Sequence, residues 1–203
     1  MALPNIGASF NRSTKDIGLL SNYILTATTL QSQHQYLIAE VIMLRLFGIF
    51  ESSTQDIAYK LACGALYRNG TSPLVLTPCR NLMDAHHKML SHRRRRPLPY
   101  LKWTTSTYIN DSIKFVLDPT DSFYRMILSN SSALDEMRIV RNQIAHRTAS
   151  TKGAFDTVLV NRYGANPRLS MGAFLTSTTR HTPSNIARYV QEMTIILNDI
   201  TFG

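Results

Sequence analysis

The segment from Gln33 to about Glu51 constrains this chain more than any other. Leu37, Val41, Leu44 and Phe47, followed after Gly48 by Phe50, recur at the three- and four-residue spacing of an α-helix with a wide apolar face. A helix of that kind must be covered by other elements, because so much apolar surface is unfavourable in water. Its most apolar run, Val41 to Phe50, is interrupted by Arg45 and is far too short to span a bilayer. The segment therefore reads as the central core helix of an all-α protein.

The rest of the chain is consistent with that class. A first helix is expected to end between Ser21 and Thr29. Ser52, Ser53 and Thr54 offer caps for a separate helix over Gln55 to Tyr67, with Ile57, Leu61, Ala65 and Leu66 facing a core and Asn69-Gly70 as the stop. Arg80 to Leu90 reads as a further helix, closed by His92, the run Arg93 to Arg96, and Pro97-Leu98-Pro99. Between 100 and 121 the pattern is mixed. Tyr100 to Thr107 alternates, while Ile109, Ile113, Val116 and Leu117 have helical spacing. Ala154 to Tyr163 reads as helix or strand, and Asn161 to Met171 as loop. In the last helix Thr182 caps Pro183, and Ile186, Tyr189, Val190, Met193, Ile196 and Leu197 form an apolar stripe. The expected organisation is a single helical domain over 1–203, built on a central antiparallel helix pair. Residues 1–15 form a flexible arm, and 92–107 and 154–181 are loop or hairpin insertions.

A chain of 203 residues with 44% hydrophobic residues has material for one sizeable core. Its 22 Lys and Arg against 13 Asp and Glu give a net charge of +9, a field that favours a polyanion such as RNA. Cys63 and Cys79 are too far apart for a C-x-x-C pair, and no second cluster completes a zinc site. Met1 to Lys15 lacks the apolar core of a signal peptide, so a reduced, cytoplasmic, non-membrane protein without a metal or other cofactor is expected.

A second helix carries the chemistry. It is expected to begin after Asn130-Ser131-Ser132, with Ser132 and Asp135 approximating a capping box, and to run to about Ala149. Leu134, Met137, Val140 and Ile144 fall on one face, while Asp135, Arg138, Asn142 and His146 gather on another. Arg141 stands at the edge of the apolar stripe, about 140° around the helix from His146. The two side chains therefore do not share one face of a single helix. Imidazole exchanges protons near neutral pH, and a guanidinium presents a planar fork of donors to phosphate oxygens.

The string Arg141-Asn142-Gln143-Ile144-Ala145-His146 resembles the R-[ND]-x-x-x-H signature of the HEPN superfamily, and within it the RiboL-PSP-HEPN-like branch. The likeness covers residues 33 to 150 and the last helix. It implies a HEPN-like helical bundle and a homodimer whose cleft is composite, built where two such helices meet. The implied activity is a metal-independent endoribonuclease that leaves a 2′,3′-cyclic phosphate and a 5′-hydroxyl. It further implies that His146 is the general base or acid, that Arg141 steadies the developing phosphate charge, and that Asn142 orients the imidazole or holds a phosphate. An acid on an earlier long helix would pair with Arg141, and Glu51 matches that place, with Glu40 as a second option. The implied setting is a toxin, abortive-infection or other antiviral defence system, with an antitoxin or defence-complex partner. Where some toxin members continue as H-x-Y, this chain has His146-Arg147-Thr148.

Several features stand outside the motif. Arg93, Arg94, Arg95 and Arg96, with Arg138 and Arg147, are candidate RNA contacts, and the first four equally suit a solvated basic turn. His86, His87 and His92 lie near Asp84 but read as surface histidines. Trp103, Tyr100 and Tyr108 either stack unpaired bases or pack in the core. The alternative to an enzyme is a helical module that binds RNA or a partner protein and in which the motif serves structure alone.

Overall fold

The computed structural model describes residues 4–203, which form nine α-helices and one isolated antiparallel bridge, Val75 with Leu117. The helices are α1 (Ile6–Ala27), α2 (Ser32–Ala62), α3 (Leu82–Ser91), α4 (Ser106–Ile113), α5 (Ser122–Ser129), α6 (Ser131–His146), α7 (Ala149–Tyr163), α8 (Met171–Thr176) and α9 (Asn185–Phe202). The all-α class expected from the sequence is what the chain adopts. Among the described residues no helix is long and apolar enough to cross a membrane. The chain divides into two compact units, one of residues 1–14, 50–134 and 195–203, the other of residues 15–49 and 135–194.

In the first unit the later half of α2 buries Phe50, Ile57 and Leu61, and Met89, Ile109, Phe123 and Ile127 supply further core. From Ile6 onward the segment expected as an arm is helical. Met1 to Leu3 lie outside the described residues, but Ile6 is buried on α1, and the helix is fastened by polar contacts. Ser9 Oγ donates to Asp56 Oδ2 at 2.7 Å, Lys60 Nζ donates to Ser9 Oγ at 2.6 Å, and the Ser13 and Ser53 hydroxyls bond at 2.7 Å. These contacts also explain why α2 runs unbroken through Ser52, Ser53 and Thr54. The hydroxyls expected as caps sit inside a 31-residue helix, with Ser53 and Thr54 buried. The helix stops instead at Gly64, whose left-handed φ of 83° permits a Schellman turn: Ala65 N–H donates to Lys60 O and Gly64 N–H to Leu61 O. α3 begins at Leu82 because the Asn81 side chain accepts from Asp84 N–H at 2.9 Å. The mixed stretch resolves into the short helix α4, capped by Thr105.

In the second unit the expected core face of α2 is largely the wrong one. Leu37 is 61% exposed and Val41 56%, whereas Ala39, Ile42, Met43 and Leu46 are buried together with Phe47. Apolar residues occupy more than one face of this helix, so periodicity alone does not choose between them. Residues 154–163, expected as helix or strand, are helical and belong to α7, which starts already at Ala149 and buries Phe155, Val158, Leu159 and Tyr163. The last helix begins at Asn185 rather than at Pro183, and Arg188 N–H bonds Ser184 O at its first turn. Every residue of its expected apolar stripe is buried.

A candidate active site at the end of α6

α6 forms as its periodicity dictates. Leu134, Met137 and Val140 are fully buried, and Ile144 nearly so. The helix starts at Ser131, with Leu134 N–H bonded to Asn130 O, so Ser132 lies within the first turn instead of capping it. It also ends earlier than expected. Arg147 takes a left-handed backbone with φ 49°, and its N–H bonds Gln143 O at 3.2 Å. Thr148 then caps α7 in a reciprocal box with Thr151, each backbone N–H donating to the other's hydroxyl at 3.0 and 3.2 Å. His146 is thereby the last residue of α6, exposed at the corner where the chain turns into α7.

The residues around it on the motif helix make their polar contacts within the second unit. Arg141 is half-buried, and its Nη1 donates to Asn142 Oδ1 at 3.1 Å. Asn142 thus faces the guanidinium, and among the described residues no hydrogen bond joins it, or Arg141, to His146. Arg147 pairs with Glu40 Oε2 at 2.7 Å, so Glu40, the second option for pairing with Arg141, is bonded to the residue after the motif. Arg138 stands 3.7 Å from Asp135. Gln143 Oε1 accepts from Thr151 Oγ1 at 2.6 Å.

Beneath the motif lies a polar network that no pattern in the sequence signals. Glu136 on α6 accepts from Arg162 of α7 and, at 2.6 Å, from the Tyr189 hydroxyl of α9. Arg162 Nη1 donates to Asn185 Oδ1 at 3.1 Å, while Asn185 Nδ2 donates to the Tyr163 hydroxyl at 3.0 Å and to Phe174 O at 2.7 Å. Burial, with the Glu136 carboxylate beside it, holds the Tyr189 phenol protonated far above the usual range. These bonds fix the azimuth of α6, and hence where Arg141 and His146 point.

Beside Gln143 opens a cavity of about 380 Å³, lined among others by Lys152, Asp156, Arg168 and Ser170. Lys152 and Arg168 are basic residues close to the motif that sequence reasoning missed. They come from α7 and the loop after it, and nothing in their local pattern marks them.

The remaining candidates belong to the first unit. Glu51 is half-buried on α2, directly after Phe50. Arg94 is turned inward. Its Nε donates to Met89 O at 2.9 Å, its Nη2 bonds Asp111 O, and its side chain is 6% exposed. Arg93, Arg95 and Arg96 are more open to solvent. Trp103 is 5% exposed and packs edge-on to Tyr59, so the core reading holds for it. His86 Nδ1 lies 2.6 Å from the Tyr59 hydroxyl, and Asp84 is bonded to Lys88 and to Arg80 N–H. Among the described residues no group of three His, Cys, Asp or Glu side chains could hold a metal ion. No family model, curated protein or solved structure matches the chain.

Proposed function

We propose that this protein is a HEPN-type, metal-independent endoribonuclease that acts as a homodimer, in a toxin or defence setting. The observation that carries the reading is the exposed His146 closing a rigidly packed helix that also holds a half-buried Arg141. An all-helical chain with a long α2 preceding that helix suits the HEPN-like bundle.

The chemistry follows from the residue types. His146 takes the proton of an RNA 2′-hydroxyl as its oxygen attacks the adjacent phosphorus. The bond from phosphorus to the 5′-oxygen breaks, and that oxygen leaves as a hydroxyl after receiving a proton from a second imidazole or from water. Negative charge grows on the non-bridging oxygens in between, and Arg141 offers them its charged donors. Arg168 suits a flanking phosphate, whereas Arg147 and Lys152 would have to exchange their partners Glu40 and Asp156, both at 2.7 Å, to take one.

A composite cleft accounts for the separation of Arg141 from His146 on α6, since a two-fold axis near the helix end sets one copy's Arg beside the other's His. The test is cleavage of RNA in excess EDTA. Wild-type protein is expected to give cyclic-phosphate and 5′-hydroxyl ends, and His146→Ala and Arg141→Ala to lose cleavage while keeping the helical circular dichroism of the parent. Equal cleavage by a folded His146→Ala protein would overturn the mechanism. The exposed arginines and tyrosines of the first unit also suit a non-catalytic RNA-binding module, which RNA binding without product ends would favour.

A further inference from the structure

The basic run and the tyrosines after it lie on one ordered segment of the first unit. Leu98 N–H bonds Leu90 O at 2.9 Å, closing the turn onto α3, and the inward Arg94 fastens it to the end of α4. Lys102 is pinned from both sides, its N–H donating to Ser112 Oγ at 3.2 Å and its carbonyl accepting from the same hydroxyl at 3.1 Å. The segment is thus a fixed platform and not a loose basic loop.

Tyr100 is 60% exposed and Tyr108 42%, and the Lys102 ammonium lies 5.4 Å from the first ring centroid and 4.6 Å from the second. A notch of about 170 Å³ opens between them, floored by Leu98 and Pro99. The acid on its rim, Asp111, is already paired with Lys114 at 2.6 Å, and that hydrogen bond holds its carboxyl below the usual range. Arg95 and Arg96 are exposed in the preceding turn.

Two exposed tyrosines, a cation over a face of each ring and further cations along the same segment are the elements of a single-stranded nucleic-acid site. Every base has a face that can stack, and every linkage a phosphate that can pair. We propose that this platform binds single-stranded RNA, with a nucleobase stacked on Tyr100 or Tyr108 and neighbouring phosphates on Lys102, Arg95 and Arg96. The choice of RNA rests on the ribonuclease reading; the stacking geometry does not.

The test is fluorescence anisotropy of a labelled oligouridine with full-length His146→Ala protein, in which binding is read without cleavage, and with wild type in parallel. Tyr100→Ala with Tyr108→Ala is expected to weaken binding by about tenfold or more, while the paired Phe substitutions retain it. Arg95→Ala with Arg96→Ala should lower the slope of log affinity against log salt by about 0.7 for each phosphate that is no longer neutralised. Unchanged affinity in the folded double-alanine protein overturns the proposal. So does failure of the wild type to bind oligouridine, or tighter binding of duplex RNA of the same length. Because the readout is binding, a protein that never cleaves RNA but loses oligouridine with its tyrosines sinks the ribonuclease reading and leaves this one standing.

Discussion

Asp121 shows how much a single side chain can hold in place. It is 2% exposed, and its Oδ1 accepts from the Tyr67 hydroxyl and from Phe123 N–H at 3.0 Å, while Oδ2 accepts from Leu74 N–H at 2.7 Å. Burial first, and then the bond to Asp121, push the Tyr67 phenol far above its ordinary range, which favours the neutral hydroxyl as the donor. Tyr67→Phe keeps the ring but deprives a buried carboxylate of a donor, and is expected to cost about 1–3 kcal/mol in a urea melt. Cys79 offers a pH-dependent counterpart. Burial pushes its thiol up to about 11, so the neutral form is the one the fold favours. That contribution is complete below the ordinary thiol range and is lost as the pH rises through about 11. At pH 8, iodoacetamide should modify Cys79 many times more slowly in native than in urea-unfolded protein, and equal rates would contradict the assignment. Arg141 and His146 can be singled out as candidates in the sequence because a motif is local. Lys152, Arg168 and the Glu136–Arg162 pair are not, because each matters only through neighbours contributed by other helices.

The elements at which sequence and structure part share one cause: a residue type with two uses. Ser52, Ser53 and Thr54 have the composition of an N-cap, yet α1 packs against this stretch in the first unit and the Ser13 hydroxyl takes Ser53 as its partner. Thr54 is fully buried with a hydroxyl oxygen that has no hydrogen-bond partner among the described residues. Thr54→Val has nearly the same shape and the same β-branching, so helix propensity hardly changes while an unpaired polar atom is removed. It should raise stability by about 1 kcal/mol, read as a higher urea midpoint with an unchanged slope. A lower midpoint would mean that the hydroxyl has a partner. The start of α1 resembles an arm for the same reason, since Ser9 and Ser13 are polar in sequence but serve as buried bonding groups. The end of α6 turns on Arg147, whose left-handed backbone no composition rule anticipates, and with it the exposed corner position of His146. By contrast α9 is readable throughout its apolar stripe, because only one of its faces offers a continuous apolar row.

At the scale of the molecule, the face of α2 that stays out of the core matters most. Leu37, Val41 and Leu44 are exposed in one row, and Leu37 and Val41 with Leu19, Tyr23 and Leu30 line an apolar groove of about 630 Å³ in the second unit. Contiguous apolar surface of this kind is what interaction sites commonly use, and under the proposed composite site three arguments point to a second copy of the chain as its occupant. Glu40, the partner of Arg147, lies about 60° around α2 from Leu37, so the row is adjacent to the end of the motif helix. The groove carries one acid, Asp16, and one base, Arg45, which a two-fold axis can set against each other across an isologous contact. The proposed composite cleft, finally, requires a second copy, because Arg141 and His146 lie about 140° apart around α6. Leu37→Glu with Val41→Glu should therefore convert a dimer into a monomer in sedimentation and abolish RNA cleavage with the helical content intact. A monomeric wild type would remove the basis of the composite site. Mixing supplies the sharper outcome: Arg141→Ala and His146→Ala proteins, each inactive alone, regain one intact cleft in half of the randomly exchanged dimers, so roughly a quarter of wild-type cleavage should return. If Arg141 and His146 act within a single protomer, every such mixture stays inactive.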